Sequence, residues 1–145
     1  MSDSRIRAAF ETALATWAAA QSPALPVVYQ NLEPDADTQE EIATTSYVRA
    51  WIIPAPDKCN DMAGKHREYS GIFQVDLCLA GTRGHGTVTE LAASLDDAFD
   101  TDTPLEASGL KVWITLPMTE GPARQDGVHY IVPIYCSYQA HSFKS

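Results

Sequence analysis

Between His66 and Phe99 the hydrophobic repeat changes from two residues to about 3.6, which fixes a strand followed by a helix. Tyr69, Phe73, Val75, Leu77 and Leu79 alternate with Ser70, Gln74 and Asp76, so the large apolar groups share one strand face. Val88, Leu91, Ala92, Leu95, Ala98 and Phe99 then recur at helical spacing and leave Glu90, Asp96 and Asp97 for water. Thr87 with Glu90 forms a capping box, an independent mark of the helix start. Gly81, Gly84 and Gly86 punctuate the turn between the two elements.

The remaining elements follow the same rules. Residues 4–20 form an amphipathic helix with Ile6, Phe10, Ala13, Leu14 and Trp17 on one stripe, stopped by Pro23 and Pro26. Val27–Gln30 is a short strand, and Asn31–Thr45 is an acidic loop. Ser46–Ile53 is a strand apolar on both sides: Val48, Ala50 and Ile52 face one way, Tyr47, Trp51 and Ile53 the other. Residues 54–68 include an aperiodic run that reads as a long flexible loop. Leu110, Val112, Ile114 and Leu116 alternate on one face, as do Val128, Tyr130, Val132, Ile134, Cys136 and Tyr138; Pro133 places this last strand at an edge or a bulge. The expectation is a single α+β domain over residues 1–145, an antiparallel sheet with helices near 4–20 and 87–101 packed against it. Its strands lie near 46–53, 68–80, 110–116 and 128–139. Its core holds Phe10, Leu14, Trp17, Phe73, Val75, Leu91, Leu95, Phe99, Val112 and Ile134.

Composition removes several function classes. At 145 residues the chain buries enough surface for a core without staples. A net charge of −9 argues against nucleic-acid binding and against anionic membranes. No window approaches the apolar length of a membrane span, and no signal peptide is apparent at the N-terminus. Three cysteines cannot all pair internally, and Cys78 and Cys136 fall within apolar strand patterns as small buried thiols. These features point to a soluble intracellular product.

The search for chemistry finds no catalytic, cofactor or metal residues to assign. The glycine cluster is spaced G-x-x-G-x-G, unlike either the dinucleotide or the NTPase phosphate loop, and reads as a tight turn. Cys59 and His66, with Asp57 and Asp61 nearby, lack the repeated spacing of zinc ligands. The carboxylates Glu33, Asp35, Asp37, Glu40, Glu41, Asp96, Asp97, Asp100 and Asp102 read first as solvated charges. Tyr47, Trp51, Ile53 and Tyr135 exceed what one core face requires and are candidates for a subunit contact.

The run REYSGIFQVDLCL, the G-T-R-G-H-G turn and the helix ending at Phe99 resemble bacteriophage tail terminator-like proteins of tailed phages and prophages. The N-terminal Ile6-Arg7-Ala8-Ala9, Tyr47-Val48-Arg49 and the closing Tyr130-Ile131-Val132-Pro133-Ile134 extend the resemblance over nearly the whole length. It implies a non-enzymatic structural protein that assembles in the host bacterial cytoplasm and ends up in the virion tail. Copies form a ring, commonly of six, on the finished tail tube, ending polymerisation and presenting a surface for head joining. The implied partners are other copies, the tail tube protein and the head–tail connector. Some of those acidic residues would then line the ring's channel and repel passing DNA. The alternatives are a tube or head–tail joining subunit and, from another class, a small ligand-binding or hydrolytic enzyme using Cys59, His66 or the glycine-rich turn.

Overall fold

The computed structural model describes residues 4–21, 25–29, 36, 39, 46–56, 58–59, 66–80 and 85–143. Two helices, α1 (Ser4–Ala19) and α2 (His85–Ala98), accompany β1 (Val27–Tyr29), β2 (Tyr47–Pro54), β3 (Lys58–Cys59), β4 (His66–Ala80), β5 (Leu105–Ala107), β6 (Leu110–Glu120), β7 (Arg124–Asp126) and β8 (His129–Phe143). They make one eight-stranded sheet ordered β1-β2-β4-β8-β6-β5, with β3 on β4 and β7 on β8. Its centre is the antiparallel pair β4–β8, continuous from His66 opposite Phe143 to Ala80 opposite His129.

The fold class is α+β, but the sheet is mixed. β1 runs parallel to β2, with Val28 opposite Arg49, and this corrects the expectation of a purely antiparallel sheet. Antiparallel partners can be joined by tight hairpins, but the long 30–46 connection allows β1 to enter in the other direction. Part of the predicted 54–68 loop is also ordered as strand: Lys58 and Cys59 pair with Glu68 and Arg67.

One face of the sheet builds the core. Successive rows across the strands pair Ile52 with Phe73 and Cys136, Ala50 with Val75 and Ile134, and Val48 with Leu77 and Val132. The helices lie on that face through side chains, at fewer points than the strands meet each other. Phe10 of α1 stacks on Phe73 at 4.3 Å and meets Tyr138 edge-on at 5.2 Å, an aromatic centre completed by Phe99 after α2. Trp17 donates its indole N–H to Ser94 Oγ at 3.0 Å, tying α1 to α2. The expected core residues are buried here, except that Leu91 is only partly covered.

Three local departures follow from backbone geometry. The β6–β8 register shifts between Ile114 and Leu116, so Leu116 leaves the core face on which simple alternation puts it. Val128 also leaves that face, because it occupies the second position of the two-residue turn between Asp126 and His129. Gly127, at φ 59°, supplies the left-handed first position of that turn. Pro133 lies in a central strand, not at an edge. Its carbonyl accepts from Gly121 N–H at 2.7 Å. Its missing N–H therefore faces the gap where pairing with β6 ends and pairing with β7 begins.

Gly71 marks the tightest approach between strands. A Cβ there would lie 2.5 Å from the Ile53 carbonyl oxygen and 2.8 Å from the Tyr138 hydroxyl. Because the first contact is backbone, Gly71→Ala is expected to lower unfolding stability in urea by roughly 1–3 kcal/mol, the cost of overpacking. A wild-type midpoint in that variant would contradict the described approach.

Candidate interaction face

The sheet face opposite the helices carries no layer of secondary structure among the described residues. Its rows are set by the same pairings that build the core. Tyr47 aligns with Cys78 and Ile131, Arg49 with Asp76 and Pro133, Trp51 with Gln74 and Tyr135, and Ile53 with Ile72 and Ser137. Leu116 continues the last row and Trp113 sits beside Gln139. All four residues predicted for a subunit contact thus share one surface. Tyr47 and Trp51 are half-buried, whereas Ile53 is 51% exposed and Tyr135 also faces water.

Sequence reasoning missed Ile72, Trp113 and Leu116 on this face. Ile72 and Trp113 stand among the polar positions of their strands, a visible signal. Leu116 has no such signal, since only the bulge turns it outward.

A buried carboxylate organises one end of the face. Asp76 is 6% exposed and is the one charged side chain counted as buried among the described residues. It accepts from Trp51 Nε1–H at 3.2 Å and from Gln74 Nε2 at 2.8 Å. These bonds compensate its desolvation and hold the indole against the sheet. Arg49 lies 6.0 Å from the Tyr47 ring centre and 5.9 Å from that of Trp51, at the outer limit of a cation–π contact. Burial pushes the Cys78 thiol up, while a hydrogen bond with Tyr47 opposes that shift.

The other end is a shallow depression of mixed polar and apolar character. Ser70, Gly71, Ile72, Ser137 and Gln139 border a groove of about 410 Å³, with Glu68 at its rim. Gln139 donates its amide to Glu68. Beyond it, His66 Nε2 and His141 Nδ1 are 2.8 Å apart, with ring centres at 5.0 Å. With ring bonds near 1.35 Å each nitrogen lies about 1.2 Å from its ring centre, so the rings meet nitrogen to nitrogen. That is an in-line N–H···N hydrogen bond rather than a stack, and it leaves no space for an ion between the two nitrogens. Among the described residues no group of three or more His, Cys, Asp or Glu side chains is placed to hold a metal.

The remaining sequence candidates lie elsewhere. Asp96, Asp97, Asp100 and Asp102 are exposed at the end of α2 and in the turn after it, on the helix side of the molecule. Asp96 accepts from Met118 N–H at 3.2 Å and Asp100 from Asp102 N–H at 3.0 Å, so both also serve local structure. Glu33, Asp35, Asp37, Glu40 and Glu41 lie outside the described residues, as do Asp57, Asp61, Gly81 and Gly84. Cys59 falls opposite Arg67 by backbone register. No described helix is long and apolar enough to cross a membrane.

The face thus sets exposed apolar groups beside a bonded, buried carboxylate. The family model described as phage tail terminator protein matches residues 5–138. The chain belongs to that family. Nine solved chains also match it. One of them is 35% identical, covers 100% of this chain and 99% of its own, and superposes with a TM-score of 0.77. No curated protein matches. As a phage tail terminator family member, the chain is a structural protein of the phage tail.

Cys136, on the core face of the sheet, gives a pH test of the fold. Burial pushes its thiol up to about 12 from the ordinary 9.0. A raised folded value means the unfolded chain loses its proton first as pH climbs. The stability contributed by the neutral thiol is therefore complete below pH 9.0 and declines as pH rises toward about 12. Cys136→Ser should flatten part of that alkaline decline in urea unfolding series. An unchanged decline would contradict the assignment.

Proposed function

We propose that this protein closes as a ring on the end of the finished tail tube, ends tube polymerisation and presents the surface to which the head-side connector joins. The reading rests on family membership over residues 5–138 together with a sheet face that leaves Ile53, Ile72, Trp113, Leu116 and Tyr135 in water. Single chains scatter exposed apolar residues, and a contiguous group on one rigid face favours a partner. Its partners are other copies, the tube protein and the connector.

Size argues for assembly on a template. By strand spacing and rise, four strands over about six residues give a few hundred Å², against roughly 800 Å² per partner in a stable complex. Copies associate weakly when dilute, and the tube end raises their effective concentration. Electron microscopy of the protein added to purified tail tubes is the test: density is expected at one end only. Density along the tube would favour the alternative of a tube subunit.

The acidity has a place in the same reading. DNA phosphates carry about one charge per 1.7 Å of duplex, so a negative channel keeps passage free of sticking. Asp96, Asp97, Asp100 and Asp102, with Glu33, Asp35, Asp37, Glu40 and Glu41, are the proposed lining. Reversing Asp97 and Asp102 to lysine should leave tails intact and slow DNA ejection, most visibly at low salt, where screening is weakest. Ejection at the wild-type rate would remove these two from the channel.

A further inference from the structure

Among the described residues, five of the six exposed large hydrophobic residues lie on the open sheet face, and the sixth, Val128, lies elsewhere. Val128 is 57% exposed at the tip of the β7–β8 hairpin, where the tight turn holds its side chain away from the sheet. The groove beside Ile72 and Ser137 lies toward the opposite end of β8 from that tip, on the order of 30 Å away. A protruding apolar group and a groove at separate places on one molecule are the parts a head-to-tail contact needs, the kind that generates a ring when its rotation closes.

We infer that the Gly127–Val128 turn of one copy seats in the outer-face groove of the next copy. The inference rests on the ring reading above and names the contact that would close it. The groove, about 410 Å³, has room for a valine side chain and its flanking backbone. Charge supports a second copy as the occupant. Chains carrying −9 each repel over most of their surfaces. At this contact the exposed Arg124 on the hairpin answers Glu68 at the groove rim. The hairpin enters as a rigid unit because β7 is already hydrogen-bonded to β8, so little ordering cost opposes docking.

The test uses the full chain with purified tubes and, separately, the protein alone at high concentration, read by electron microscopy and sedimentation. Val128→Asp and Arg124→Glu, both at exposed positions, should retain the wild-type unfolding midpoint. Each should weaken self-association on the order of tenfold or more. Arg124→Glu combined with Glu68→Arg should regain association, provided that Glu68→Arg alone keeps the wild-type midpoint. Glu68→Gln offers a milder variant, expected to weaken association without altering the fold. Wild-type association by Val128→Asp or by Arg124→Glu, failure of the folded double variant to recover, or association that stops at two copies would each overturn the contact. If those variants still ring at the tube end, this contact falls and the capping reading stands. If wild-type rings form through it but bind away from the tube end, the capping reading falls and the contact stands.

Discussion

The pairing of β4 with β8, each a 15-residue strand, is the constraint on which the rest of the structure depends. Its register decides which residues of both strands meet the helices and which meet water. Side chains alternate with period two, so a slip of one residue would drive Asp76 and Gln74 into the core and expel Phe73 and Val75. The apolar cost of that exchange fixes the register firmly. β2 aligns on one side of the pair, and β6 and β7 on the other, each taking its facing from the same two strands.

That arrangement gives the molecule two unequal sides. The helix side is closed by aromatic packing around Phe10, Phe73 and Phe99, while its outer surface carries the described acidic cluster beyond α2. The open side combines a buried, fully engaged carboxylate with apolar groups still in contact with water. Asp76 adds directional bonds that hold Trp51 and Gln74 in one arrangement. The open face therefore carries its buried carboxylate already bonded, with Arg49 beside the Tyr47 and Trp51 rings. Under the proposed capping role, a small apolar face and a strong overall negative charge would keep copies dispersed until they meet a tube end.

The paired His66 and His141 show why placement matters more than composition. As a sequence feature, His66 stood beside Cys59 and suggested ligands or a thiol–imidazole pair. The β4–β8 ladder instead brings it to His141, across the end of the sheet, in a direct imidazole hydrogen bond. The two residues are far apart in the chain, and nothing in their local surroundings announces the partnership.

Local patterning by itself determined the two helices, the four long strands and most of the core, since residues such as Phe73, Val75, Leu95 and Phe99 signal burial through spacing alone. The motifs around REYSGIFQVDLCL also carried the family resemblance, and the excess of apolar groups on Tyr47–Ile53 suggested cover on both sides of that strand, whereas among the described residues its second face is open. Only the tertiary structure decided that β1 joins in parallel, that a bulge turns Leu116 outward and that a tight turn leaves Val128 at a tip. It also decided that Tyr47, Trp51, Ile53 and Tyr135 share one surface while Asp96 to Asp102 occupy another. The physical reason is range: periodicity is a property of neighbours along the chain, whereas register, strand direction and the facing of a bulged residue are settled by hydrogen bonds between segments distant in sequence.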